Sequence, residues 1–245
     1  MASKPMNKAE IYQNILESVA DILDTGERPV VIFDLDATLF DVGPRVWHIF
    51  REYAQQHEDE ELKVALDAYR KTSMPYLIKD ILAEMELATE DRLENIMPYW
   101  FDRFFTDHYQ HFDTTVQGAV SYVRELYAAG AHIVYLTGRD APGMLVGCCE
   151  SLRRHGFPMG VVRAQLIMKP DFDIPDPVFK EEACGFIDSL GAVVASFDNE
   201  PGNCNIFQQH WPQGVNVLLD TQRASMEERP VPEVHTITDF NFSDS

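Results

Sequence analysis

Basic residues are scarce: 20 lysines and arginines stand against 40 aspartates and glutamates in 245 residues, a formal net charge of −20. Such a field repels nucleic acid and anionic membranes at long range, so neither is the expected partner, although a few cations in a pocket can still hold a small anion. Long apolar runs are missing as well. No stretch approaches the ~18 apolar residues needed to span a bilayer, and the opening MASKPMNKAEIYQNILESV has no continuous apolar segment of the kind a secretory signal carries. The expectation is a cytoplasmic protein away from the membrane. Cysteine is sparse: Cys148, Cys149, Cys184 and Cys204 form no C-x-x-C pair. Two adjacent thiols chelate one zinc poorly, so buried free thiols are expected. There is no internal repeat and no low-complexity segment. What is present is enough apolar material, 45% of residues, to bury a large core. That core is either one large domain or a smaller one with an insertion.

Along the chain, Ile11, Ile15, Leu16, Val19, Ile22 and Leu23 mark one face of a helix over 8–24, closed by Gly26 and Pro29. A buried strand over 30–35 follows. Gly43-Pro44 then opens a stretch of helical periodicity with few β-branched residues. Helices are predicted over 44–57, 59–71, 75–88 and 89–105, the last capped by Thr89. From Thr114 the pattern changes to alternating elements. Helices are expected over 115–129, 142–155, 178–190 and 201–209, and strands over 132–137, 164–168, 193–197 and 215–219. Alternation at this spacing means βαβ units and a parallel sheet buried on both faces. The fold class is therefore α/β, a Rossmann-like parallel sheet core with an inserted helical domain. The expected division is an N-terminal helix in 1–28, a core in 29–43 and 113–220, a helical insertion in 44–112, and an irregular tail in 221–245.

In open parallel sheets, ligands sit at the carboxyl ends of the strands. Here those ends read Asp34-Leu35-Asp36-Ala37-Thr38, Thr137-Gly138-Arg139, Lys169, and Asp198-Asn199-Glu200. Two carboxylates one residue apart repel each other unless a cation or a shared proton lies between them. Asp198 arriving from a third strand favours a hard divalent ion, and Mg²⁺ takes one or two carboxylates plus waters and phosphate oxygens. Lys180 and Lys169 are placed to hold the same anion from the other side.

DLDAT, LTGR, a downstream lysine and FDNE, in that order, resemble the four motifs of the haloacid-dehalogenase-like phosphohydrolase superfamily. The resemblance covers about 29–41 and 114–220, and the inserted helices match its type 1 cap in position. It implies a Mg²⁺-dependent phosphatase acting on a small phosphomonoester through an aspartyl phosphate. Asp34 is then the nucleophile and Asp36 the general acid and base. The implied metal contacts are Asp34 through its carboxylate, Asp36 through its carbonyl, and Asp198. Thr137 and Gly138 would hold the phosphoryl oxygens. Lys180 is the preferred motif lysine over Lys169, with the other lysine and Arg139 as added phosphate contacts. The last motif departs from the usual pattern: Asn199 stands where a second aspartate is common, and Glu200 follows. Two other functions stay open, a nucleic-acid-end (3′-phosphatase-like) or nucleotide phosphatase and a non-catalytic phospholigand-binding or scaffold protein. Bland roles are expected elsewhere. His48, His57, His108 and His111 read as surface or packing residues, Glu200 as a partner of the following helix, and Tyr99, Trp100, Phe101, Phe104 and Phe105 as cap core.

Overall fold

The structure, a computed structural model, describes residues 6–69, 74–224 and 228–242. Its organising element is β1 (Pro29–Phe33), every residue of which is buried. Parallel strands flank it on both sides, β4 (His132–Asp140) and β6 (Ala192–Asp198). Beyond them lie β5 (Ala164–Lys169) on one side, and β7 (Val215–Leu219) and β8 (His235–Ile237) on the other. The sheet order is β5-β4-β1-β6-β7-β8, parallel throughout.

The two-residue period of a strand decides which helices cover which face. Val31, Phe33, Ile133 and Tyr135 pack under α1 (Lys8–Asp24), α6 (Ala119–Ala129) and α7 (Ala141–His155). Val30, Ile32, Val134 and Leu136 pack under α8 (Asp176–Asp188) and α9 (Pro201–His210). The helix starts are set locally. Asn7 and Glu10 form a reciprocal capping box on α1, and the Asp140 carboxylate accepts from the Gly143 amide at 2.8 Å to start α7.

Between β2 (Phe40–Asp41) and β3 (Thr114–Thr115) lie α2 (Gly43–Gln56), α3 (Glu60–Ala68), α4 (Ile78–Glu84), α5 (Glu90–Phe104) and a 3₁₀ turn at His108–Phe112. These helices have their own apolar cluster, including Phe50, Leu62, Ile81 and Ile96. β2 and β3 pair antiparallel, so the outgoing and returning chain cross to the insertion side by side. The Thr89 hydroxyl accepts from the Arg92 amide at 3.3 Å, as its capping position predicts.

Three expectations are corrected. The tail after 221 is not wholly irregular: His235–Ile237 extends the sheet and Phe240 joins the core. Three residues at an edge are too short to leave a periodic signal. The helix expected from 115 starts at Ala119, because Thr114–Thr115 are spent on β3 and Gly118, at φ 77°, makes the turn before it. The helix expected over 59–71 ends at Ala68, and residues 70–73 lie outside those described.

Candidate active site

Beyond Phe33 the ladder continues for one bond, the Asp34 amide donating to the Phe197 carbonyl at 2.9 Å. The chain then doubles back. Ala37 takes a left-handed φ of 56°, and the Leu39 and Phe40 amides both donate to the Leu35 carbonyl. This turn leaves Asp34 and Asp36 in the wall of one cavity at the carboxyl edge of the sheet. Lys180, from α8, donates to Asp34 Oδ1 at 2.7 Å and to Asp198 Oδ2 at 2.6 Å. Asp198 is fixed from behind by the Glu200 amide at 2.9 Å and Asn203 Nδ2 at 3.1 Å. Burial pushes the Asp34 carboxyl up to about 7, with Asp198 adding to the rise and Lys180 opposing it. One ammonium is too little charge for two buried carboxylates. Burial works against the charge on Lys180 too, but Asp198 and Asp34 outweigh it and keep the ammonium protonated.

Asp36 meets different company. Its carboxylate is gripped by both ends of the Arg139 guanidinium, Nε at 3.1 Å and Nη2 in a shorter contact, with Arg45 Nη2 3.6 Å away. Burial would raise this carboxyl, but Arg139 foremost, then Arg45, hold it below the usual range. Behind the pair sits Asp113, bound by Arg45 through both its oxygens and by Arg139 Nη2 at 3.0 Å. Gln110 Oε1 accepts from Arg139 Nη1 at 2.6 Å. Arg45 belongs to the first cap helix, Asp113 to the returning chain and Arg139 to the core, so the network joins the Asp36 carboxylate to the cap's two crossings. Arg45, Asp113 and Arg139 are all buried. Such groups are tolerated only as a closed network, and removing one member leaves its partner uncompensated.

The other expected residues are placed as follows. Thr137, Gly138 and Arg139 line the cavity. The Thr137 hydroxyl accepts from the Arg139 amide at 3.2 Å and keeps its own proton to give. A Cβ at position 138 would meet the Asp176 carboxylate, which would have to swing aside and leave its pairing with Lys169. Lys169 is not brought to the cavity, contrary to its expected place beside the phosphate. Its ammonium donates to the Phe172 and Ile174 carbonyls, both at 2.9 Å, and pairs with Asp176 at 2.8 Å. That ties down the loop entering α8. Arg139 is in the wall, but its donors are engaged by Asp36, Asp113 and Gln110. Asn199 donates to the Gln222 carbonyl, and the Glu200 carboxylate accepts from the Ala224 amide at 2.7 Å. Both brace the segment after β7. Burial foremost pushes Glu200 up to about 7.

Among the described residues, no set of three His, Cys, Asp or Glu side chains is arranged to hold a metal ion. The reason is visible: the Asp36 side chain faces arginine, which leaves Asp34 and Asp198 as a carboxylate pair. Two carboxylates are nevertheless donors that suit Mg²⁺, which keeps several waters. Burial foremost raises Asp34, and a divalent cation beside it would favour its ionised form.

Sequence reading missed Arg45, Asp113, Gln110 and Asn203. One signal was available. Arg45 falls in register with Ile49 and Tyr53, a charge in the apolar stripe of its helix, and such a residue needs a buried partner. Trp100 and Phe104 line the cavity, whereas Tyr99 packs on Tyr53 and Trp47 on Tyr69.

No protein-family model and no curated protein matches this sequence. Solved structures do match. A candidate phosphatase from Clostridium difficile superposes with a TM-score of 0.55 at 12% identity, covering 86% of this chain and 94% of that one. A haloacid dehalogenase-like family hydrolase from Streptococcus pneumoniae gives 0.51 at 10% identity, covering 86% and 94%. A HAD-superfamily hydrolase of subfamily IA from Geobacter sulfurreducens gives 0.51 at 10%, covering 87% and 93%. Identities this low speak for architecture alone. By its sheet order, its helical insertion and these superpositions, the chain has the fold of the haloacid-dehalogenase-like hydrolases.

Proposed function

We propose that the protein is a Mg²⁺-dependent phosphatase that hydrolyses a small phosphomonoester through an aspartyl phosphate on Asp34. The observation that carries this reading is the convergence of Asp34, Lys180 and Asp198 from three separate segments, with Asp34, Asp36 and Lys180 lining one cavity and the buried Asp198 held against Lys180 behind it. The solved structure described as a phosphatase shares this architecture, which is compatible with the same chemistry. Asp34, Asp198 and the Asp36 carbonyl would hold Mg²⁺, which when bound offsets charge on the phosphoryl oxygens.

The chain's own residues account for the rest. An Asp34 oxygen attacks phosphorus, and the leaving alkoxide departs from the opposite side. Asp36 gives that alkoxide its proton, then takes one from the water that hydrolyses the aspartyl phosphate, releasing inorganic phosphate and restoring Asp34. Lys180 balances charge beside Asp34, while Thr137 and the Gly138 amide hold phosphoryl oxygens. Donation requires protonated Asp36, which the two arginines disfavour. A phosphate dianion arriving beside Arg139 competes for the same guanidinium and loosens that hold. The four cysteines are free, which suits a reducing compartment. A covered cavity and a charge of −20 weigh against nucleic-acid ends.

Purified protein should release phosphate from para-nitrophenyl phosphate with Mg²⁺ and lose that activity in chelator. Full activity in chelator would refute the metal; none in Mg²⁺ would favour a non-catalytic binding protein. Asp36→Asn should slow an alkyl ester by ~10²–10⁴-fold and para-nitrophenyl phosphate less in the phosphorylation step, because a weakly basic leaving oxygen needs little proton help. Equal losses in burst experiments would remove Asp36 as the acid.

A further inference from the structure

We infer that the substrate is the phosphate monoester of an uncharged, largely apolar alcohol of about one ring in size. The inference rests on the phosphatase reading and adds to it the class of leaving group.

The reacting carboxylates form only the floor of the cavity. The wall facing them comes from the cap: Met74, Tyr76 and Leu77 precede or enter α4, and Met97, Trp100 and Phe104 belong to α5. Tyr76, Leu77 and Met97 remain 50%, 37% and 38% exposed. Large apolar side chains gathered in water around a reacting centre are the mark of a surface that a ligand covers. Methionine is suited to that task, since its flexible thioether adapts to irregular shapes. The cavity holds about 280 Å³, near the lower bound of small-molecule sites at ~300 Å³. A phosphoryl group and one ring or short hydrocarbon body suit it; a polymer does not.

Charge narrows the class further. Among the described residues, the lining carries four carboxylates, Asp34, Asp36, Asp176 and Glu200, and two cations, Arg139 and Lys180. Both cations already face carboxylates. A divalent ion and one phosphoryl group can be balanced there, but a second anionic group on the alcohol meets a negative wall. The Tyr76 hydroxyl, in the same lining, gives the wall one neutral donor.

The test compares esters of primary alcohols of similar basicity, so that proton help to the leaving group is held constant: 2-phenylethyl phosphate, ethylene glycol monophosphate and phosphoglycolate, with the full chain and saturating Mg²⁺. Burying a phenyl ring should raise kcat/KM at least ~10-fold for 2-phenylethyl phosphate over ethylene glycol monophosphate. Phosphoglycolate should be the poorest. Trp100→Ala and Met97→Ala should each shrink the phenylethyl-to-glycol ratio at least ~3-fold, and the wild-type ratio stands by itself if a variant fails to fold. Equal efficiencies, or a preference for phosphoglycolate, would overturn this inference and leave the phosphatase reading intact. No turnover of any of the three esters would overturn this inference, and no turnover of para-nitrophenyl phosphate as well would overturn both.

Discussion

Asp34→Asn should abolish turnover, lowering kcat by at least ~10⁴-fold, while the protein stays folded. The amide has nearly the shape of the carboxylate and can still accept from Lys180, but it is not a competent nucleophile for phosphorus. The same variant carries a stability signature. Because burial raises the folded-state Asp34 from 3.8 to about 7, the folded chain binds a proton there that the unfolded chain does not, across that interval. Stability from this group is therefore fully present below the unfolded value and lost as pH rises through about 7. In chelator, Asp34→Asn should be at least as stable as the wild type above that pH. The difference should shrink on acidification, when the wild type takes up its own proton. Thermal melts from about pH 5 to 8 measure this; a variant that loses stability most at high pH would mean the Lys180 pairing outweighs burial. Residual single-turnover activity above a few per cent would remove Asp34 from its role.

Lys180→Ala should be nearly as damaging. Deleting the ammonium leaves Asp34 and Asp198 facing each other without a counter-charge, a loss of about 3–5 kcal/mol at neutral pH for a broken buried pair. It also removes charge balance from the transition state, so kcat should fall by ~10²–10³-fold even where Mg²⁺ restores the fold. Lys169→Ala is the informative comparison. Its ammonium holds the 172–176 loop through two carbonyls and Asp176, so the effect should be mild loosening at the start of α8 with kcat within a few-fold of wild type. A larger kcat loss in Lys169→Ala than in Lys180→Ala would reverse the assignment.

The legible part of this molecule is the part written in short range. Asp34 and Asp36 fall after a run of buried aliphatics. Thr137 and Gly138 follow the apolar run of β4, Asp198 closes β6, and Thr89 announces α5. The illegible part is long-range. Arg139 grips a carboxylate 103 positions away, and Arg45 pairs with Asp113 across 68. Nothing in the neighbourhood of any one of these residues specifies its partner. The same limit explains Lys169, whose strand-end position looks like that of a phosphate ligand until the loop folds back to consume its protons. β8 failed for want of length: His235–Ile237 earns its place only by pairing with β7.

The covalent intermediate is the most direct measurement. Protein mixed with a rapidly reacting aryl phosphate and Mg²⁺, quenched in acid within the burst and digested, should carry one phosphoryl group per chain on the peptide spanning 29–41, localised to Asp34 and absent from Asp34→Asn. Burst kinetics with no phosphorylated peptide, or a phosphoryl group on any other residue, would contradict the mechanism.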